Sequence, residues 1–150
     1  MINNNLKFCR EEIGLTQKEL GEIFNVKNNT VSGWELGLDT MPFEKLVEFC
    51  NLYNYSLDFV VGLSRKNTDY SKINIDKGII GNNLKSIRKS LHLTQQELAD
   101  ECNISRTTYS SYECGRYLIN TITIYTICKT YNISMDEICG RIKNSKIKET

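Results

Sequence analysis

Residues able to do acid–base, nucleophilic or metal chemistry are sparse in this chain and do not converge. Six cysteines (Cys9, Cys50, Cys102, Cys114, Cys128 and Cys139) form no Cys-x-x-Cys pair, and the one histidine, His92, has no cysteine or carboxylate at metal-ligand spacing. In a reducing compartment such cysteines are expected to be small buried hydrophobes, without disulfide or metal roles. An arginine and a glutamate recur together twice, Arg10 with Glu35 and Arg88 with Glu113. That pairing occurs in catalytic centres, but no nucleophile accompanies either copy, and duplication suits architecture better than catalysis. The expectation is a non-enzyme with no cofactor and no metal.

The spacing of those pairs is itself informative. Shifting the sequence by 78 positions aligns LKFCREEIGLTQKEL at Leu6–Leu20 with LKSIRKSLHLTQQEL at Leu84–Leu98, and 19 of the 57 pairs from Leu6 to Gly62 are identical. Roughly one in fifteen to twenty would match by chance, so the chain holds two copies of one unit. The expected boundaries are residues 1–63 for the first domain, 64–80 for a polar linker, 81–142 for the second domain and 143–150 for a basic tail. Units of this size are near the lower limit for a self-sufficient core. The 150 residues, 40% hydrophobic and 25% charged, exclude disordered and collagen-like classes. No run approaches a membrane span and the N-terminus lacks a signal-peptide pattern, so a cytoplasmic location with no membrane partner is expected.

The elements that position these residues read as helices. Leu6, Cys9 and Ile13 fall at helical spacing before Gly14; Thr16 with Glu19 makes a capping box, and Leu20, Ile23 and Phe24 follow to a turn at Asn25. Val31 and Trp34 mark the buried side of a third helix that Gly37 stops. Pro42 suits the first turn of a fourth, whose stripe is Leu46, Phe49, Cys50 and Tyr53, and Ser56 with Asp58 opens a fifth. The second copy repeats this with Thr94/Glu97, Ser105 as a cap, Tyr109 and Tyr112 inward, and Gly115 as the stop. His92 takes the place of Gly14 and is read as a turn residue. Only TITIY, Thr121–Tyr125, alternates like a strand, and its position in the repeat assigns it to a helix. Both units are expected to be all-α.

The strings TQKELGEIFNVKNNTVSGWELG and TQQELADECNISRTTYSSYECG resemble the helix-turn-helix of the Cro/repressor class, the XRE family. The resemblance covers about 57 residues of each copy. It implies two tandem five-helix, lambda-repressor-like domains. Helix three of each would lie in the major groove of double-stranded DNA and helix two across the phosphate backbone. Arg10–Glu35 and Arg88–Glu113 then match an internal ion pair between helices one and three. Gln17 and Gln95 match a helix-two position whose amide meets a phosphate, with a solvated helix start as the plainer alternative.

Under that resemblance the two copies differ where DNA would be read. The second offers Ser105, Arg106, Thr107, Thr108, Ser110 and Ser111, with Arg106 able to fork onto guanine O6/N7, and Arg116 beyond the stop suits a phosphate. The first offers Lys27, Asn28, Asn29, Thr30 and Ser32, whose asparagines can grip adenine N6/N7. It departs from the family pattern three times: Lys27 replaces a capping hydroxyl, Gly33 removes a reading side chain, and Leu38 replaces a basic contact. Charge follows the same ranking. Residues 1–63 carry 5 basic against 9 acidic groups, 64–80 carry 4 against 2, and 81–150 carry 10 against 7. The linker lysines and Arg141, Lys143, Lys146 and Lys148 can add phosphate contacts, with a solvated frayed end as the alternative for the tail. The implied function is transcriptional regulation, as a repressor blocking an operator. The alternative makes domain 1 a dimerisation or protein-interaction module, antirepressor or antitoxin-like, with only domain 2 on DNA.

Overall fold

The computed structural model describes residues 3–144. It divides into two compact units, Met1–Asp69 and Tyr70–Thr150. Five helices build the first: α1 (Leu6–Glu12), α2 (Gln17–Ile23), α3 (Asn28–Leu36), α4 (Phe43–Tyr53) and α5 (Leu57–Val60). Five build the second: α6 (Lys77–Ser90), α7 (Gln95–Glu101), α8 (Arg106–Glu113), α9 (Thr121–Tyr131) and α10 (Met135–Ile138). Among the described residues, strand-like pairing is confined to one bridge between Tyr70 and Lys143. TITIY lies inside α9, as its place in the repeat required.

The helix ends are set by short-range chemistry read directly from residue type. Thr16 Oγ1 accepts from Glu19 N at 3.0 Å while Glu19 Oε1 accepts from Thr16 N at 2.9 Å, and Thr94 with Glu97 repeats the box at 3.0 and 2.9 Å. The same backbone donation holds the Glu19 and Glu97 carboxyls below their ordinary range. Asn25 and Asn103, at φ 55° and 56°, turn α2 into α3 and α7 into α8. His92 adopts φ 58° where the first unit has Gly14 at 79°, so it is a turn residue as read. Pro42 caps α4 from just outside it rather than occupying its first turn.

Each core is one apolar stripe per helix. Leu20, Val31, Phe49 and Leu57 are fully buried in the first unit, and Leu98, Tyr109, Ile124, Ile127 and Met135 in the second. Aromatic packing is concentrated in the first, where Phe49 meets Phe24, Tyr53 and Tyr55 at centroid separations of 6.3, 5.2 and 5.9 Å. Ile23 is 44% exposed, because the single buried stripe of a seven-residue helix is already filled by Leu20 and Gly21. The expectation for the cysteines fails in part. The cysteines are not uniformly buried: Cys9, Cys50, Cys128 and Cys139 are, Cys102 is half-buried and Cys114 is exposed at the end of α8. Burial pushes the Cys9 thiol up to about 12 and the Cys102 thiol up to about 11, which keeps both protonated at neutral pH.

The expected linker, 64–80, is largely absorbed into the units. Asn67 is fastened to the first: its Oδ1 accepts from Ser56 N at 2.7 Å and its Nδ2 donates to Asn54 O at 3.0 Å. Helix α6 starts at Lys77, seven residues before the equivalent of Leu6, with Asp76 Oδ1 accepting from Gly78 N and Ile79 N. The repeat comparison could not show this, because the added seven residues, about two turns, have no helical counterpart in the first copy.

Candidate nucleic-acid interface

In both units a buried ion pair ties the first helix to the third. Arg10 Nε donates to Glu35 Oε2 at 2.5 Å and its Nη2 to Oε1 at 3.2 Å; Arg88 Nε donates to Glu113 Oε2 at 2.6 Å and its Nη2 to Oε1 at 3.1 Å. Each arginine spends a further N–H on a backbone carbonyl, Leu15 O at 2.7 Å and Leu93 O at 2.8 Å, which locks the turn before the second helix. The glutamate side chains are only 2% and 4% exposed. Burial alone would raise the Glu113 carboxyl, but Arg88, Tyr109 and Gln95 together hold it below its ordinary value. Hydrogen bonding to the glutamates raises both guanidinium groups, so both arginines stay charged.

Gln17 and Gln95 are a third member of this cluster, which residue type alone did not reveal. Gln17 Nε2 donates to Glu35 Oε1 at 3.0 Å and Gln95 Nε2 to Glu113 Oε1 at 3.1 Å. The amide is oriented by the buried carboxylate, which leaves one N–H of each for an acceptor outside.

Helix α8 presents the expected hydroxyl and guanidinium row. Ser105, Arg106, Thr107 and Thr108 are exposed, and Ser110 and Ser111 are half-buried. Ser105 Oγ accepts from Thr108 N at 3.1 Å, capping the helix at the end that carries Arg106. Arg106, Thr107, Thr108, Ser110 and Ser111 line, with Tyr112, Cys114, Arg116, Tyr117 and Leu118, an open concavity of about 600 Å³. The N-terminal extension of α6 braces α8 from behind. Gly81 lies so near that a Cβ there would sit 2.5 Å from Glu113 O and 2.6 Å from Tyr112 O, so only glycine permits the approach. Lys77 Nζ also donates to Arg116 O at 3.3 Å.

Helix α3 shows the same face in altered chemistry. Lys27, Asn28 and Asn29 are exposed, Thr30 and Ser32 half-buried. Lys27 stands at the N-cap with no side-chain hydrogen bond, so the helix start is uncapped. A Cβ built at Gly33 would sit 3.2 Å from Asp39 Oδ2: a carboxylate covers the position that Ser111 holds in α8. Asp39 was not singled out from sequence; its pairing with Tyr117 at the 78-residue shift was the available signal. Leu36 and Leu38, 65% and 71% exposed, stand where the second unit has Cys114 and Arg116.

The tail reading needs a correction. Arg141, expected at phosphate, is 3% exposed and donates from Nη1 to Asp136 Oδ1 at 2.6 Å and from Nε to Ser71 O at 3.0 Å. A guanidinium so enclosed is withdrawn from solvent, and its proximity in sequence to three lysines concealed this. Lys143 is exposed; Lys146 and Lys148 lie outside the described residues.

Two short helices joined through an asparagine turn, the first opened by a capping box and the second held by a buried Arg–Glu–Gln cluster, define a helix-turn-helix domain present twice. The HTH_3 helix-turn-helix family matches residues 6–60 and again 84–138, and the chain belongs to it. It is 43% identical over 65 residues to the antitoxin PezA of Streptococcus pneumoniae, covering 43% of this chain and 41% of that protein. It is 41% identical over 58 residues to the cryptic phage CTXphi transcriptional repressor RstR of Vibrio cholerae, 39% of this chain and 52% of that one. Over 82 residues it is 35% identical to the HTH-type transcriptional regulator ImmR of Bacillus subtilis, 52% of this chain and 65% of that one. The chain thus spans about two-fifths to two-thirds of these relatives. Among the described residues no helix is long and apolar enough to cross a membrane, and no group of three or more histidine, cysteine and acidic side chains is placed to hold a metal.

Proposed function

We propose that the chain is a sequence-specific DNA-binding transcriptional regulator, acting in the cytoplasm as a repressor at an operator, with α8 as its principal reading helix. The observation that carries this is the row of Ser105, Arg106, Thr107 and Thr108, exposed, and Ser110 and Ser111, half-buried, with Arg116, on a helix capped at its start and braced along its back. Arg106 supplies the bidentate donor for guanine, and Arg116 with the free N–H of Gln95 supplies phosphate contacts that set the register. The relatives RstR and ImmR, a repressor and a regulator by name, agree with this reading. Selection of bound sites from random duplexes by the full chain tests it. A recovered consensus whose preference at one position relaxes in Arg106→Ala supports the reading, and recovery of no consensus overturns it.

A second reading is favoured for the first unit. Asp39 covers the place of the Ser111 hydroxyl, Leu38 replaces the cationic Arg116 and the exposed Leu36 lies two positions before it, so α3 meets DNA weakly and is better suited to a protein surface, a partner or a second copy of this chain. The similarity to the antitoxin PezA points the same way. Sedimentation at several concentrations separates self-association from a monomer whose two heads share one duplex.

A further inference from the structure

We infer that residues 70–71 and 141–143 form a clasp that makes the polar segment between the repeats part of the second domain, and that this clasp leaves only a short tether to the first, which limits the spacing of half-sites that one chain can span. The inference about spacing rests on both heads engaging DNA; the clasp does not. Its centre is the pair Arg141–Asp136, with side chains 2% and 0% exposed. Arg141 uses its Nε on Ser71 O at 3.0 Å, and its guanidinium carbon lies 5.9 Å from the Tyr70 ring centroid. Two backbone contacts close the clasp: Ser71 N donates to Ile142 O and Ile142 N to Ser71 Oγ, each at 2.8 Å. Tyr70 bridges to Lys143, and its hydroxyl lies 3.5 Å from Ser134 Oγ.

This cluster is not repeat architecture. Position 63, equivalent to Arg141, is leucine, whereas the aspartate is kept as Asp58 and Asp136. The second copy has therefore acquired a buried cation whose backbone partner lies in the inter-repeat segment, although the basic stretch around it reads as a phosphate-binding tail.

The consequence is a short tether. Asn67 is held on the first unit and Ser71 on the second, so three residues join the anchors. Four residue steps reach about 13–14 Å at full extension. Without the clasp the free segment would run from Asn67 to the cap Asp76, nine steps that average roughly 16 Å and reach about 30–32 Å at full extension. Moving one half-site by five base pairs displaces it about 17 Å along the duplex and turns it to the opposite face. The clasped tether cannot absorb that shift; an unclasped one can.

Amide hydrogen exchange and DNA titration of the full-length chain test the two parts separately. Ser71 and Ile142 amides should be protected in the native chain and exchange at least tenfold faster in Arg141→Leu and in Ser71→Ala, the milder variant guarding against an unfolded first one. Amides of α8 should keep their protection in Ser71→Ala. Unprotected Ser71 and Ile142 amides in the native chain would overturn the clasp. On duplexes carrying two selected sites, the native chain should lose at least tenfold in affinity when the spacing changes by five base pairs. Four Gly/Ser residues inserted between Thr68 and Asp69, which leave the clasp contacts in place, should recover most of that loss. A native chain with large two-site gain at both spacings would overturn the tether. Protected amides with no two-site gain at any spacing would uphold the clasp and remove the two-headed reading instead.

Discussion

The two domains share a scaffold and part company on one face. The Arg–Glu–Gln cluster, the capping boxes and the asparagine turns recur at the 78-residue shift with distances agreeing to about 0.1 Å, for example 3.0 and 3.1 Å for the glutamine contacts. Against that shared frame, α8 has a capped start, an exposed Arg106 and a brace from an α6 of 14 residues. Helix α3 has an uncapped start, a carboxylate over Gly33 and an α1 of 7 residues, with Asn4 Nδ2 donating to Trp34 O at 3.0 Å at the end of α3. Scaffold and surface therefore vary separately between the two copies. The internal cluster is needed for any third helix to be held in place, whatever that helix touches.

The largest effect should come from breaking what is common. Glu113→Gln and Glu35→Gln each strip a carboxylate from a buried guanidinium and should cost about 3–5 kcal/mol in the unit concerned, read as a fall in the matching calorimetric transition. A change in DNA affinity with stability intact would contradict the structural role. The pH dependence follows from Glu113: its carboxyl is held below its unfolded value, so its contribution is complete above the ordinary carboxylate range and is lost as pH falls through and below it. Glu113→Gln should flatten that acid limb.

Arg106→Ala should weaken the selected site by about 1–3 kcal/mol and relax one base position, whereas Asn28→Ala at the matching place in α3 should do less in the same titration. Equal losses would erase the asymmetry between the heads.

A reciprocal exchange sharpens the scaffold comparison. A Cβ at Gly21 would meet Val26 O at 2.6 Å, yet the equivalent Ala99 is accommodated in α7. Gly21→Ala should cost about 1–3 kcal/mol through backbone displacement, and Ala99→Gly about 1–2 kcal/mol through helix propensity and the loss of a buried methyl, both from chemical denaturation.

The smallest changes concern the reading face of α3. Lys27→Ser should add a cap and gain about 0.5–1 kcal/mol. Leu38→Arg with Asp39→Asn should steepen the slope of log affinity against log salt by about 1, as one phosphate contact is added. An unchanged slope would mean that α3 does not approach the duplex at all.

What the sequence by itself determined was everything carried by local or repeated chemistry. Capping boxes act between residues three apart, asparagines and His92 adopt the left-handed turn within their own residue, and a 78-residue self-match exposes two copies of one fold. The paired Arg–Glu positions were legible for the same reason, since duplication marked them as architecture. What only the tertiary structure decided were contacts between residues apart along the chain, whether or not the other copy shares them. Gln17 and Gln95 reach glutamates 18 positions away, Asp39 folds back over Gly33, Gly81 lets α6 approach α8, and Arg141 is buried against a serine 70 positions before it. A charge near the end of a chain reads as solvated because most are. The cost of burying one is offset only by a specific partner, and that partner becomes visible when the chain is folded.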